Sequence, residues 1–249
     1  MKSLWETSLN IRAFDVDENN RLKVSAIFDY FQDAAANHAE NLKVGYTNLI
    51  PSGLFWVLSW AKFEFIDYPK FMDEINIQTW GKKQYKLYSM RDFLMLDKGD
   101  NVLCKATTAW LLLDAKSLRP KVMPQLFPDV ILIEEKSSLD DLPEKFPEFP
   151  KTEKIYTKEI KYSDIDLNKH ANNAKYLELL LDCYDETFHR EHKIKALTVF
   201  FISESKYGDL IEVFKSSNSE NEKVHFIEAK NRRTDKSVFN AMVKWQRII

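Results

Sequence analysis

The chain repeats one short polar segment, and this repeat constrains the fold more than any other feature of the sequence. Residues 15–21 read Asp-Val-Asp-Glu-Asn-Asn-Arg, and residues 164–170 read Asp-Ile-Asp-Leu-Asn-Lys-His, which sets the two copies 149 residues apart. Internal self-similarity at a fixed offset is typical of a duplicated structural unit. The sequence of 249 residues therefore predicts two related units.

A helical pattern follows each copy of the segment. Residues of one face recur at alternating spacings of three and four, which is typical of a helix that buries one side. These stripes are Val24, Ile27, Phe31, Ala34 and His38 in the first copy, and Ala174, Leu177, Leu181, Tyr184 and Phe188 in the second. The pattern predicts one long helix in each copy.

Strand-like runs, rich in aromatic and β-branched residues, follow each helix. They are Phe55–Phe65, Glu74–Trp80, Tyr85–Leu96 and Asn101–Leu113, then Leu197–Ile202, Leu210–Lys215, Lys223–Asn231 and Ser237–Trp245. Residues 97–100, Asp-Lys-Gly-Asp, predict a hairpin turn. The expected class is α+β, with two units that each wrap an antiparallel sheet around a long helix.

Proline marks the expected boundary between the units. Six of the eight prolines fall between residues 120 and 150, and proline lacks the N–H that a central strand or a helix interior requires. We expect an N-terminal unit at residues 1–130, a proline-rich connector at 131–152 and a C-terminal unit at 153–249.

Composition excludes several function classes. The chain has five glycines and no G-x-G-x-x-G or P-loop pattern, so no nucleotide cofactor is expected. Cys104 and Cys183 have no C-x-x-C partner, which argues against a cysteine-based zinc site. The net charge of −2 argues against a nucleic-acid partner. With no signal-like N-terminus and no apolar run of spanning length, we expect a cytoplasmic protein without a membrane span.

The segment 164–173 concentrates carboxylate, amide and imidazole groups. The segment does not fit a calcium-binding loop, because Lys169 occupies the position where such a loop needs glycine and Lys175 the position where it needs glutamate. One alternative is structural: a turn, with Asn172 or Asn173 as the cap of the following helix. The other is catalytic, because histidine exchanges protons near neutral pH. An extended chain would separate these groups, so a catalytic loop has to curl before the helix.

The same segment resembles the catalytic motif of acyl-acyl carrier protein thioesterases, Asp-x-Asp-x-Asn-x-His-x-Asn-Asn before a helix. It matches this motif at Asp164, Asp166, Asn168, His170, Asn172 and Asn173, and Tyr176 follows. The resemblance extends over most of the chain and implies a double hotdog fold. The family also carries a downstream glutamate, which Glu204 resembles; Ser205 stands where plant members often have cysteine. We expect no transit peptide before the first unit, and on this expectation the chain resembles the bacterial branch.

The resemblance implies an active site made of Asp166, Asn168, His170 and Glu204. Glu204 and His170 would activate a water molecule, Asn168 would hold or polarise the thioester carbonyl, and Asp166 would orient the site. Direct attack by a carboxylate, giving a mixed anhydride, is the competing chemistry. Neither a metal nor another cofactor is implied.

The implied activity is release of free fatty acid from acyl carrier protein that carries an acyl-phosphopantetheine. An acyl-CoA thioesterase and a non-catalytic acyl-binding hotdog protein are the alternatives, and the sequence allows a homodimer. We expect the acyl chain to lie in the first unit. The lysine-rich segment 82–86 is either a docking face for an acidic carrier or a solvated surface.

Three further histidines are expected to be structural. His38 lies on the buried stripe of the first helix and is expected in the core. His189 and His192 are expected as exposed residues at a helix end, because no third metal ligand is evident.

Overall fold

The computed structural model describes residues 1–142, 152–216 and 224–248. The chain forms two compact units, Met1–Pro143 and Glu144–Ile249. The α+β class is confirmed, since each unit combines helices with an antiparallel sheet.

Residues 1–142 of the first unit form six strands and three α-helices. In chain order these are β1 (Leu4–Asn10), α1 (Val24–Asn41), α2 (Tyr46–Leu49), β2 (Leu54–Phe65), β3 (Glu74–Gly81), β4 (Ser89–Asp97), β5 (Val102–Asp114), β6 (Pro120–Lys121) and α3 (Met123–Leu126). The strands pair antiparallel in the order β1-β3-β4-β5-β2, and the short β6 pairs with β5. The predicted hairpin turn at residues 97–100 joins β4 to β5.

Helix α1 forms the core of the first unit with the sheet. All five residues of the predicted stripe are buried, so that prediction is confirmed. The Phe31 ring lies 4.7 Å from the Phe93 ring of β4 and 6.1 Å from the Phe63 ring of β2, both nearly parallel to it. Burying one such side chain stabilises a fold by about 1.5–3 kcal/mol.

The strand predicted over Tyr85–Leu96 begins later than expected, at Ser89. Tyr85 and Tyr88 instead exchange backbone hydrogen bonds across a tight turn, of 2.9 and 2.8 Å. Lys86 adopts a left-handed backbone conformation there (φ 54°), which a continuous strand excludes.

The described residues of the second unit form five strands and two α-helices. They are β7 (Thr152–Glu159), α4 (Asn173–Leu181), α5 (Glu186–Glu191), β8 (His192–Phe201), β9 (Leu210–Ser216), β10 (Val224–Asn231) and β11 (Lys236–Arg247). The strands pair antiparallel in the order β8-β11-β10-β9-β7. Helix α4 buries Ala174, Tyr176, Leu177, Leu179 and Leu180.

The prediction of one continuous helix through Phe188 is wrong. Helix α4 ends at Leu181, and α5 begins at Glu186. The side chain of Asp185 accepts the Phe188 N–H at 2.7 Å and so caps α5. An aspartate favours this capping position over a helix interior. Periodicity alone could not locate the break, because Tyr184 and Phe188 are both on the apolar stripe and both half-buried.

The segment predicted as a connector contributes contacts to the first unit over its described part. Ile133 N–H donates to the Gly81 carbonyl at 2.9 Å, and Ser138 N–H donates to the Asp92 carboxylate at 2.6 Å. Residues 143–151 of that segment lie outside the described residues. Within the described part of the chain, none of the helices has the length and apolar character needed to cross a bilayer.

Candidate active site

The second copy of the polar segment curls into a closed loop before α4. A 3₁₀ turn spans Tyr162–Asp164, and the buried Asp164 carboxylate accepts the Lys161 N–H at 2.7 Å. The Asn172 side chain then accepts the Ala174 N–H at 3.0 Å and caps α4. The turn and the helix cap of the structural alternative are thus both present, with Asn172 as the cap.

Asp166 is the centre of this loop. Its Oδ1 accepts the N–H of Asn168 at 2.8 Å and that of His170 at 3.4 Å, while its own N–H donates to the His170 carbonyl at 2.9 Å. The Asn168 amide nitrogen lies 3.5 Å from Asp166 Oδ2, and Asn168 is exposed. Lys169 completes the turn in a left-handed conformation (φ 65°). These contacts supply the curl that the sequence required.

The loop brings His170 to Glu204. The His170 Nε2 lies 3.0 Å from Glu204 Oε2, across 34 residues of sequence. Both groups reach solvent, with 31% of the His170 side chain and 56% of the Glu204 side chain exposed. Lys206 places its ammonium 3.6 Å from the other oxygen of Glu204. An imidazole in contact with a carboxylate at a solvent-accessible position is an arrangement suited to general acid–base chemistry.

Backbone hydrogen bonds hold the two segments of the site together. Ala171 N–H, next to His170, donates at 2.9 Å to the carbonyl of Ser205, next to Glu204. Ser205 is fully buried and its N–H donates to the Tyr176 hydroxyl at 3.1 Å. The contact between Tyr176 and Ser205 was not predicted from the sequence.

The first copy folds into the same loop with different chemistry. Asp17 N–H donates to the Arg21 carbonyl at 2.8 Å, as Asp166 does to His170. The side chains differ, because Arg21 Nε lies 3.2 Å from Asp17 Oδ2 and forms an ion pair within the loop. A guanidinium stays protonated at any usable pH, so Arg21 cannot replace the histidine as a base.

A second pair of equivalent backbone hydrogen bonds aligns the two copies further along the chain. Leu22 N–H donates to the Pro69 carbonyl at 2.8 Å, which matches the bond from Ala171 to Ser205. The equivalent pairs are Pro69 with Ser205 and Tyr68 with Glu204. Burial raises the pKa of Tyr68 well above its ordinary value, so the first copy has a neutral phenol in place of the carboxylate.

His38 is a core residue, as predicted. It is fully buried; its Nε2 lies 2.8 Å from the Lys2 carbonyl, and its Nδ1 lies 2.9 Å from Arg91 Nη1. These partners assign the neutral tautomer with the proton on Nε2. Burial, reinforced by the Arg91 charge, lowers the pKa of His38 to about 4.

His189 and His192 lie at the end of α5, as predicted, but the prediction that they are exposed is wrong. His192 stacks on Phe188 with ring centroids 4.2 Å apart, and the His189 ring lies 5.9 Å from Trp245. Both histidines are half-buried. The break between α4 and α5 allows this aromatic packing, which the helical pattern did not indicate.

The lysine-rich segment 82–86 is not a uniform docking surface. Lys82 forms an ion pair of 3.2 Å with the fully buried Asp92, and its ammonium also donates to the Leu139 carbonyl at 3.1 Å. Burial raises the pKa of Asp92, while a hydrogen bond from Thr107 and the Lys82 charge oppose this effect. Lys82 therefore has a structural role, whereas Lys83 and Lys86 are exposed.

Across residues 1–142, 152–216 and 224–248, no group of three or more His, Cys, Asp or Glu residues is arranged to hold a metal ion.

Two family profiles match the chain. They are described as the acyl-ACP thioesterase N-terminal domain, over residues 2–131, and the acyl-ACP thioesterase C-terminal domain, over residues 149–247. The chain belongs to the acyl-ACP thioesterase family.

Plant members of this family are among its relatives. Oleoyl-acyl carrier protein thioesterase 2 of Arabidopsis thaliana, a chloroplastic protein, is 23% identical over 246 residues, which cover 91% of this chain and 66% of that protein. The chain spans about half to two thirds of the length of the curated relatives it matches.

Solved acyl-ACP thioesterase structures have the same fold. That of an enzyme from Bacteroides thetaiotaomicron has a TM-score of 0.85 at 25% identity and covers 98% of both chains. The 12:0-ACP thioesterase from Umbellularia californica has a TM-score of 0.85 at 19% identity and covers 100% of this chain and 99% of its own. The double hotdog fold and the family expected from residues 164–173 are confirmed.

Proposed function

We propose that this acyl-ACP thioesterase family member hydrolyses the thioester between an acyl chain and the phosphopantetheine of acyl carrier protein. The contact of 3.0 Å between His170 and Glu204 carries this proposal. It joins a proton-exchanging imidazole to a carboxylate at an exposed position, beside a loop that supplies the amide of Asn168. The first copy holds Arg21 and Tyr68 at the equivalent positions, so the second unit carries the chemistry.

The four candidate residues divide the reaction between them. Glu204 and His170 remove a proton from water, whose oxygen attacks the thioester carbonyl carbon. The Asn168 amide holds the carbonyl oxygen as it gains negative charge. When the C–S bond breaks, the proton taken from water passes to the leaving sulfur, which gives a free thiol and a fatty acid. Asp166 orients Asn168 and His170 through their N–H groups.

Direct attack by Glu204 on the carbonyl carbon is the competing chemistry, and it would form a mixed anhydride. Single-turnover hydrolysis in ¹⁸O-labelled water detects an anhydride that water attacks at the Glu204 carbonyl, because the label then enters Glu204. Activated water leaves Glu204 unlabelled and puts the label in the fatty acid. Attack by water on the acyl carbonyl of an anhydride gives the same products, so trapping an acylated Glu204 with hydroxylamine is the second measurement. Acylated Glu204 would contradict the water mechanism.

The physiological donor is tested with matched substrates. Steady-state thiol release is measured for acyl carrier protein and coenzyme A carrying the same acyl chain, across chain lengths, with His170→Ala as the inactive control. We expect a higher kcat/KM with the carrier protein. A higher kcat/KM with coenzyme A would favour the acyl-CoA alternative, and acyl binding without thiol release would favour a non-catalytic protein.

We propose that the acyl chain lies in the first unit, which offers a largely apolar helix face and no equivalent of the His170–Glu204 pair. Ala34 and Ala35 of α1 are both buried. Replacing either with a larger apolar residue should shift preference towards shorter chains. An unchanged chain-length profile for both variants would contradict this location.

A cytoplasmic location and a homodimer are further proposals. Cys104 and Cys183 are both free and buried, which agrees with a reducing compartment. Fractionation of source cells tests the location, and light scattering of the purified protein tests the assembly.

A further inference from the structure

Tyr176 connects α4 to the residue that follows Glu204. Its hydroxyl accepts the backbone N–H of Ser205 at 3.1 Å. Tyr176 is 2% exposed and Ser205 is fully buried, so water does not compete for this bond. The Ser205 carbonyl in turn accepts the Ala171 N–H at 2.9 Å. Ser205 is thus held on both sides, by the helix and by the loop that carries the histidine.

The first copy keeps one of these two bonds and lacks the other. The carbonyl bond is present there, from Leu22 N–H to Pro69 at 2.8 Å. At the positions of Tyr176 and Ser205, however, the first copy has Ile27 and Pro69. Isoleucine offers no acceptor and proline has no N–H, so the second bond cannot form. The bond from Ser205 to Tyr176 therefore occurs in the copy that has the histidine and the glutamate.

We infer that Tyr176 is a positioning residue, which holds Glu204 against His170 by fixing the Ser205 peptide group. The Glu204 side chain is 56% exposed, so packing does little to define where its carboxylate lies. Its position depends on the backbone from which it projects, together with its contacts to His170 and Lys206. A displacement of about 1 Å in a reacting group can lower a rate by about 100-fold.

The surroundings of Tyr176 favour a positioning role over acid–base chemistry. Its ring packs against Phe201 at 6.3 Å and Phe239 at 5.6 Å, so phenylalanine can replace it without loss of ring packing. Burial raises the pKa of Tyr176 to about 12, so the hydroxyl stays protonated at neutral pH. It accepts the Ser205 N–H through an oxygen lone pair.

The first test compares two tyrosines of the second unit and rests on the proposed function. Tyr176→Phe should lower kcat by roughly 10- to 100-fold and change KM by less than about twofold. Tyr156→Phe is the matched control, because the Tyr156 hydroxyl donates to the Leu179 carbonyl at 2.6 Å, outside the site. We expect it to lower thermal stability without changing kcat. Equal kcat values for both variants would overturn the inference.

A double-mutant cycle tests whether Tyr176 acts through Glu204. In a Glu204→Gln background, Tyr176→Phe should produce no further loss of kcat, because the group it positions is gone. The same fold-loss in both backgrounds would show an independent, structural effect and overturn the inference. If the single variant Glu204→Gln keeps full activity, the proposed site itself is wrong. If Glu204→Gln loses activity but the single variant Tyr176→Phe keeps it, the site stands and the inference about Tyr176 is wrong.

Ser205 provides a second variant should Tyr176→Phe fail to fold. Ser205→Pro deletes the N–H donor, and the first copy shows that this loop accepts proline at the equivalent position. Ser205→Ala keeps the N–H and should retain at least several-fold more activity than Ser205→Pro. Equal activity of the two Ser205 variants would contradict the role of the bond.

Discussion

The two copies of the polar loop share a backbone and differ in the group that closes it. In the first loop, the Asp17 carboxylate pairs with Arg21, a cation that stays charged. In both loops the aspartate Oδ1 accepts the equivalent pair of backbone N–H groups. The difference lies in the closing side chain, because His170 contacts Glu204 rather than the aspartate of its own loop. The comparison teaches that the loop itself is a structural device. In the mechanism we propose, catalysis depends on a few side chains of the second copy.

The largest expected effect separates the two loops directly. His170→Ala and Glu204→Gln should each lower kcat by roughly 10²- to 10⁴-fold, because either change removes a group that moves protons. Arg21→Ala and Tyr68→Phe, at the equivalent positions, should keep kcat within about threefold of the parent, since neither group is proposed to touch substrate. Turnover per folded molecule, with the folded fraction measured by circular dichroism, checks all four variants. Comparable losses in both loops would remove the distinction.

A smaller effect is expected from the aspartate at the centre of each loop. Asp166→Ala removes the acceptor for the N–H groups of Asn168 and His170, and the looser loop should cost roughly 10- to 100-fold in kcat. Asp17→Ala should lower the free energy of unfolding by about 1–2 kcal/mol and spare turnover in the folded fraction. Urea unfolding and steady-state kinetics on both variants check this. An unchanged kcat for Asp166→Ala would show that the loop needs no such anchor.

The third prediction contrasts the buried His38 with His170, the proposed catalytic residue. The unfolded chain binds a proton at His38 below about pH 6.5, whereas the folded chain does so only near pH 4. The His38 contribution to stability is therefore complete above pH 6.5 and is lost as the pH falls. Between pH 6.5 and 5.5 the loss should be about 1 kcal/mol, and His38→Gln should remove it.

Urea unfolding at several pH values measures the contribution of His38 to the free energy of unfolding. The activity of folded His38→Gln at neutral pH should match that of the parent, whereas His170→Gln should lose activity. A parent and a His38→Gln variant with identical pH dependence of stability would contradict the buried, neutral assignment.

The smallest effect concerns the left-handed residue of each loop. Asn20 occupies that conformation in the first loop (φ 54°) and Lys169 in the second (φ 65°). Asparagine tolerates it better than lysine. Lys169→Asn should raise the free energy of unfolding by roughly 0.5–1 kcal/mol, and Asn20→Lys should lower it by a similar amount. Equal urea midpoints for the parent and both variants would show that neither loop stores this strain.

The apolar periodicity of the sequence predicted those helices whose extent is determined by one buried face. The stripe from Val24 to His38 lies on one helix because a single buried face explains it. The stripe through Phe188 does not, since the capping of α5 by Asp185 and the packing of Tyr184 on Trp245 interrupt it. A periodic pattern does not distinguish a helix from two helices that share an apolar side.

The candidate site shows the same division. The motif selected His170, and the family resemblance that it carries selected Glu204; the fold brings the two side chains together. The Tyr176–Ser205 hydrogen bond joins residues 29 positions apart and involves a backbone N–H group, so a pattern of side chains in the sequence cannot predict it. Lys82 was misread for a similar reason, because its buried partner Asp92 is recognisable only once β3 and β4 are paired.

The central claim is that the second loop alone performs the chemistry, and an exchange of the closing residues tests it most directly. The kcat for one acyl carrier protein substrate is measured for His170→Arg, Arg21→His and the double variant. We predict at least a 100-fold loss for His170→Arg, near-parental activity for Arg21→His, and no rescue in the double variant, because Tyr68 stands where a carboxylate is needed. Near-parental activity in His170→Arg, or restored activity in the double variant, would contradict the account.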